Sequence, residues 1–225
     1  MKIGILGGIG PEATAEFYLK LIFKLQKKGL IRNNESYPQI IINSIPAPEL
    51  IGDSYDENNL EMYLTGLEQL DSLKPDFIIM VCNTIHLFYD LCKIRIKTPI
   101  IDLREEIKNL IFNKKVIVFG TPLAINRLYT FGDKLEKNEI NLLSNAIFNF
   151  NRGFKKELQI KIVKKLARKY GDYTILLGCT ELALMLDGSC FDVINTIDVL
   201  VDATITNIYL NNESKVDEQF LERKV

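Results

Sequence analysis

Two similar α/β lobes, each with a mostly parallel sheet flanked by helices, are what this sequence predicts. A pseudo-two-fold axis relates them, with a candidate site in the cleft between. Three observations predict this arrangement. Short apolar runs alternate with helical patterns along the whole chain, as βαβ units require. The phrase GILGG at 4–8 returns as VIVFGT at 116–121. FIIMVCNT at 77–84 returns as YTILLGCT at 173–180. The copies lie too far apart for a solenoid period and fit two lobes instead.

The elements follow in order. Lys2–Leu6 reads as a buried strand, and Gly7-Gly8-Ile9-Gly10 as a tight turn. Pro11 suits a first helical position, with Glu12 and Glu16 near the positive helix end, and the helix extends to about Lys28 before Gly29. Gln39–Asn43 is the second strand, followed by a Pro-containing loop from Ile45 to Asp53. Leu60, Leu64, Leu67 and Leu70 keep helical spacing over 57–73. Phe77–Val81 is the third strand, with a helix after Asn83-Thr84, then a short strand at Pro99–Ile101 and another helix. Lys115–Phe119 with Gly120-Thr121-Pro122 restates the opening: strand, glycine, proline at a helix start. A strand is expected near Ile140–Leu143 and a long amphipathic helix over 154–169. Tyr173–Leu177 mirrors the third strand, and a strand near 192–195 precedes a helix at 198–210 and a frayed polar tail, Asn211 to Val225. The expected lobes are 1–98 and 99–202, with a C-terminal helix, about 203–225, returning to the first.

Composition narrows the function classes. The 225 residues carry 28 Lys and Arg against 29 Asp and Glu, so no global field favours nucleic acid or an anionic membrane. The N-terminal run is too short for a signal-peptide core, and no stretch approaches the roughly 18 apolar residues of a membrane span. A cytoplasmic protein is the resulting expectation. Four cysteines without CxxC spacing argue against a zinc site or a redox pair, and imply free thiols in a reducing compartment. A single histidine, His86, excludes most His-based metal sites.

Cys82 and Cys179 both end apolar strands, where parallel sheets bind ligands and helix N-termini present free N–H groups. Such a position lowers a thiol pKa from about 8.5 toward neutrality. Asn83-Thr84 and Thr180 add side-chain donors suited to a carboxylate. A single cysteine of this kind is ordinarily core. Two matched ones, each followed by cap-type residues, point to chemistry. A Cys–His hydrolase leaves Cys179 without a base, and a Cys-x5-Arg phosphatase loop fails because Phe88 and Met185 occupy the arginine positions. Two thiols facing one carbon suit proton transfer: one removes a proton while the other delivers one to the opposite face. Their protonation states must then differ. Glu181 either keeps Cys179 protonated or merely complements a helix dipole.

GILGGIGPEAT at 4–14, VCNTIH at 81–86 and LGCTEL at 177–182 together resemble the aspartate/glutamate racemase family, in its aspartate-racemase-like branch. The resemblance spans the chain to about Asp202. It implies a cofactor-independent two-base racemase with Cys82 and Cys179 as the bases, no PLP, no metal, and a homodimer. It implies that Asn83, Thr84, Thr180 and the turns at Gly8-Ile9 and Thr121 hold an α-amino acid. Glu181 is read as joining these substrate-binding residues, and His86 as supporting Cys82 or the turn that carries it. Where many aspartate racemases have Pro-Asp-Arg after strand two, this chain has Pro48-Glu49-Leu50. Arg152 fills a second basic position; it either grips a side-chain carboxylate or is a solvated loop residue. Aspartate is therefore the first expected substrate, with glutamate or another amino acid open. Alternatives are a related isomerase acting on a small carboxylic acid, and a dinucleotide-binding oxidoreductase. The latter rests on Gly8-Ile9-Gly10-Pro11-Glu12-Ala13, yet strand two ends in Asn43 with no acid to hold a ribose. Cys92 and Cys190 read as core or incidental, and Asp102 and Asp198 as helix caps.

Overall fold

The computed structural model describes residues 1–50, 52, 57–186 and 190–222. Two parallel three-stranded sheets form its centre. The first has β1 (Lys2–Gly7) between β2 (Gln39–Ser44) and β3 (Phe77–Met80). The second has β5 (Thr174–Gly178) between β4 (Val116–Gly120) and β6 (Val193–Asn195). Single bridges lengthen each sheet: Ile100 pairs with Ile78 beside β3, and Asp133 with Ile117 beside β4. With the bridges counted, both sheets have one order. β1 matches β4 and β3 matches β5, so Cys82 and Cys179 follow equivalent strands.

Alternation along the strands divides the first sheet between two apolar clusters. Ile3, Ile5, Phe77 and Ile79 face α1 (Pro11–Lys27), while Leu6, Ile78 and Met80 face α2 (Glu57–Ser72). Helix α1 buries Ala13, Phe17, Leu21 and Leu25 along one stripe; fully burying each large side chain contributes about 2 kcal/mol. The α1-side cluster also takes in α4 (Leu103–Lys108), the second sheet and α8 (Thr196–Glu222), so one apolar core crosses both sheets. Lys20 binds Asp198 at 2.7 Å and Lys24 binds Asp202 across α1 and α8. Asp102 caps α4 by accepting from Arg104 N at 3.0 Å. Asn195, rather than Asp198, caps α8: its Oδ1 accepts from Ile197 N at 2.9 Å.

Several elements differ from the sequence expectation. Residues 140–143 are helical, inside α5 (Lys137–Asn151). A capping box between Glu136 and Glu139 starts that helix, and Leu143, Ala146, Ile147 and Phe150 keep helical spacing. Thr84–Phe88 forms a 3₁₀ turn before α3 (Tyr89–Arg95). Pro122 opens a short helical stretch that passes into a π-helical turn, Ala124–Leu128. Pro99–Ile101 makes the one bridge at Ile100 rather than a strand. The 154–169 helix is α6 (Lys156–Ala167) with a 3₁₀ turn after it. The expected frayed tail is helical to Glu222, because neither glycine nor proline interrupts 196–222. Most of the loop after Leu50, and residues 223–225, lie outside the described residues. Among the described residues no helix is long and apolar enough to cross a membrane.

Candidate active site

Both cysteine turns open on one cavity of about 180 Å³ at the carboxyl ends of β1, β3, β4 and β5. The turn after β1 forms one wall. Thr14 shapes it: its hydroxyl accepts from Gly8 N at 3.0 Å and donates to Gly10 O at 3.3 Å. Gly8 and Gly10 both have positive φ, 84° and 66°, which L side chains rarely adopt. A Cβ on Gly8 would stand 2.5 Å from Ile45 O, so this glycine lets β1 and the loop after β2 approach.

Cys82 and Cys179 are 8% and 7% exposed. The Cys82 sulfur accepts hydrogen bonds from the backbone N–H groups of Ile85 and Thr84, donors left free by the tight turn. Burial still pushes its pKa up to about 12, and the Glu181 charge adds to the rise. Cys179 donates to Glu181 Oε2 at 2.7 Å. Burial, and then Glu181, hold its pKa well above the usual thiol range. Charge on Cys82 also raises Cys179, so the sulfurs are within electrostatic reach of each other. Glu181 itself is pushed up by burial and steadied by Cys179, its own backbone N–H, Asn151 and Thr180.

The sequence-derived site residues separate into three groups. Gly8, Ile9, Thr84, Thr121, Cys82, Cys179 and Glu181 line the cavity. Thr84 Oγ1 and Thr121 Oγ1 lie 3.2 Å apart, a pair of hydroxyls contributed by the two lobes. Asn83, Thr180 and His86 are buried behind the lining. Asn83 accepts from Tyr129 OH at 2.6 Å and donates to Thr196 Oγ1 at 2.9 Å, and Thr196 donates to Leu177 O at 2.9 Å. That chain ties the Cys82 turn to the second lobe, and the π-helical turn delivers Tyr129 to it. Thr180 Oγ1 donates to Glu181 Oε2 at 3.3 Å. Arg152 stands apart: it is exposed, its guanidinium lies over the Phe148 ring at 5.0 Å, and it is outside the lining.

Sequence reading missed Glu49, Leu50, Gly10, Ile147 and Asn151, all of which line the cavity. The available signal was Pro48-Glu49-Leu50 itself, in which Glu49 keeps the acid of the Pro-Asp-Arg pattern and Leu50 takes the place of its arginine. Among the described residues no group of three or more His, Cys, Asp or Glu is arranged to hold a metal ion.

A model of the Asp/Glu/Hydantoin racemase family matches residues 6–204. The chain belongs to this family. A similar curated protein, the broad specificity amino-acid racemase RacX of Bacillus subtilis (strain 168), is 34% identical over 126 residues. That match covers 55% of this chain and 56% of the relative, little more than half of each. Solved racemase-family structures share the fold. Picrophilus torridus aspartate racemase superposes with a TM-score of 0.74 at 19% identity, over 92% of this chain and 93% of that one. An aspartate racemase homologue from Pyrococcus horikoshii OT3 gives 0.66 at 24% identity, over 91% and 97%. Glutamate racemase from Francisella tularensis, in complex with D-glutamate, gives 0.60 at 18%, over 94% and 82%.

Glu181 packs against the bare Cα of Gly10. A Cβ on Gly10 would fall 1.9 Å from Glu181 Oε1. Gly10→Ala is expected to cost about 1–2 kcal/mol in urea unfolding from its φ alone. It should also displace Glu181 from Cys179 and so quicken alkylation of that thiol at mildly alkaline pH. Unchanged alkylation would show that the contact does not govern Cys179.

Proposed function

We propose that the chain is a cofactor-independent amino-acid racemase in which Cys82 and Cys179 act on opposite faces of one α-carbon. One observation carries this reading: two thiols, on equivalent strand ends of two lobes, open on the same cavity. The Bacillus relative, a broad specificity amino-acid racemase, supports an amino-acid substrate, and the branch resemblance puts aspartate first among candidates. The homodimer and the cytoplasmic location belong to the same reading.

The site's asymmetry assigns starting roles. Cys82 has two N–H donors aimed at its sulfur, which stabilise a thiolate. Cys179 faces a carboxylate, and a thiol is the weaker acid by about four pK units, so the proton stays on sulfur. In one direction the Cys82 thiolate takes the Cα proton, leaving the electron pair delocalised into the α-carboxylate. Cys179 S–H then delivers its proton to the other face. Cys82 ends as thiol and Cys179 as thiolate, the starting state for the reverse direction. The Thr84 and Thr121 hydroxyls are placed to bind the α-carboxylate as its charge grows. The Gly8-Ile9-Gly10 turn faces the Glu181 carboxylate, which opposes a dinucleotide pyrophosphate there.

The deciding experiment follows optical inversion and α-deuterium incorporation in D2O with amino acids and no added cofactor. Absence of both across acidic, neutral and basic amino acids would overturn the reading. Because burial holds both thiols protonated in the free protein, kcat/KM is expected to climb about tenfold per pH unit through neutrality. Glu181→Gln removes a charge that raises both thiols, and should move that limb down by about one unit. A limb that stays in place would take Glu181 out of the proton-holding role.

A further inference from the structure

Among the described residues the cavity carries two carboxylates, Glu181 and Glu49, and no lysine or arginine lines it. Asn151 sits between the two acids. It hydrogen-bonds Glu181, and its Nδ2 donates to Glu49 Oε1 at 3.4 Å. Burial and then the Glu181 charge push the Glu49 pKa up, while Asn151 and Arg152 act in the other direction. Arg152 acts on Glu49 through its charge, while its guanidinium rests on Phe148 outside the lining. The sequence from Ile45 to Asp56 contains no basic residue.

An α-amino acid between the thiols brings one ammonium and one carboxylate at Cα. Glu181 is bonded to Cys179 Sγ, so its carboxylate lies beside that carbon and answers the α-ammonium. The Thr84 and Thr121 hydroxyls answer the α-carboxylate. Glu49 remains, exposed on the loop after β2 at the far side of Asn151. A side-chain carboxylate there would meet two like charges. A side-chain ammonium or guanidinium would form a charge-assisted pair instead.

Resting on the racemase reading, we propose that the substrate is an amino acid with a cationic side chain, of the lysine or ornithine kind, selected by Glu49. This departs from the aspartate expectation, since an aspartate side chain meets no cation among the described lining residues.

The test compares L-lysine with L-norleucine, which keeps the carbon chain without the ammonium, and with L-aspartate and L-glutamate. With α-deuterium incorporation as readout, kcat/KM for L-lysine is expected about tenfold or more above norleucine, and further above both acids. Glu49→Gln should remove most of the lysine-to-norleucine advantage, and Glu49→Lys should shift preference toward L-glutamate. An acid turned over as well as L-lysine, or a Glu49→Gln enzyme with the ratio unchanged, overturns the inference and leaves the racemase reading standing. The melting temperature of the unaltered protein with each amino acid separates the two failures. A protein inert toward all four but stabilised by L-lysine alone loses the racemase reading and keeps the cationic site. One both inert and unresponsive loses both.

Discussion

Cys82→Ala and Cys179→Ala are each expected to reduce inversion by about a thousandfold or more, the size of a lost general acid or base. The two variants should nonetheless differ in what they keep. With Cys179 gone, Cys82 can still remove and return a proton on its own face, so one enantiomer exchanges its α-hydrogen for deuterium without inverting. With Cys82 gone, the other enantiomer should exchange, driven by Cys179 and therefore needing higher pH, since Glu181 disfavours that thiolate. The measurement is α-deuterium incorporation into each pure enantiomer, with the optical rotation followed in parallel. Inversion surviving in either variant would remove the two-base mechanism. Exchange of the same enantiomer by both variants would show that the thiols do not face opposite sides of Cα. Wild-type urea unfolding in both variants establishes that the fold is intact.

His86→Gln should flatten the acid limb of the stability profile by about 2–3 kcal/mol between pH 7.5 and 4.5. His86 is fully buried, three residues into the turn that carries Cys82. Nε2 lies 3.4 Å from Met80 O, Nδ1 has no hydrogen-bond partner, and Asp102 Oδ1 is 3.9 Å from it. Arg104 holds that carboxylate, with Nη2 at 2.8 Å from Oδ2, and also lies over the Tyr89 ring that stacks on His86. Burial lowers the His86 pKa from 6.5 to about 4 in spite of Asp102. The unfolded chain therefore takes up a proton as pH falls through 6.5, while the folded protein stays neutral until about 4. The stability this neutral histidine supplies is fully present above pH 6.5 and is lost between the two values, at about 1.4 kcal/mol per unit. Glutamine keeps a donor for Met80 O and does not titrate. Urea unfolding of both proteins at the two pH values reads the change in their difference. A difference constant with pH would show that His86 does not titrate on unfolding in this window.

The strands and both thiol turns were legible because each is written in a few consecutive residues. The strand expected at Ile140–Leu143 shows the limit of that reading. A four-residue apolar run does not distinguish strand from helix, and the Glu136–Glu139 box and the spacing out to Phe150 decide for helix. Pro122 marked a helix start correctly in kind. The π-helical turn that follows it, closed by Tyr129 N to Ala124 O at 2.8 Å, has no local signature of its own. Asn83 was read as facing substrate because it follows Cys82. Its amide is instead satisfied by Tyr129 and Thr196, which sequence adjacency does not reveal.

Pattern within the chain determined the parallel α/β class and the pairing of Cys82 with Cys179, since strand periodicity, glycine turns and proline at helix starts act over a few residues. Only the tertiary structure decided what surrounds the thiols. Glu181 turns back onto Cys179 because Gly10 leaves room for it. Glu49 and Asn151 reach the same cavity from the loop after β2 and the end of α5, about a hundred residues apart in sequence. Their meeting depends on how the two sheets share one apolar core, so the charge of the cleft emerges from packing between lobes, which no local stretch of sequence encodes.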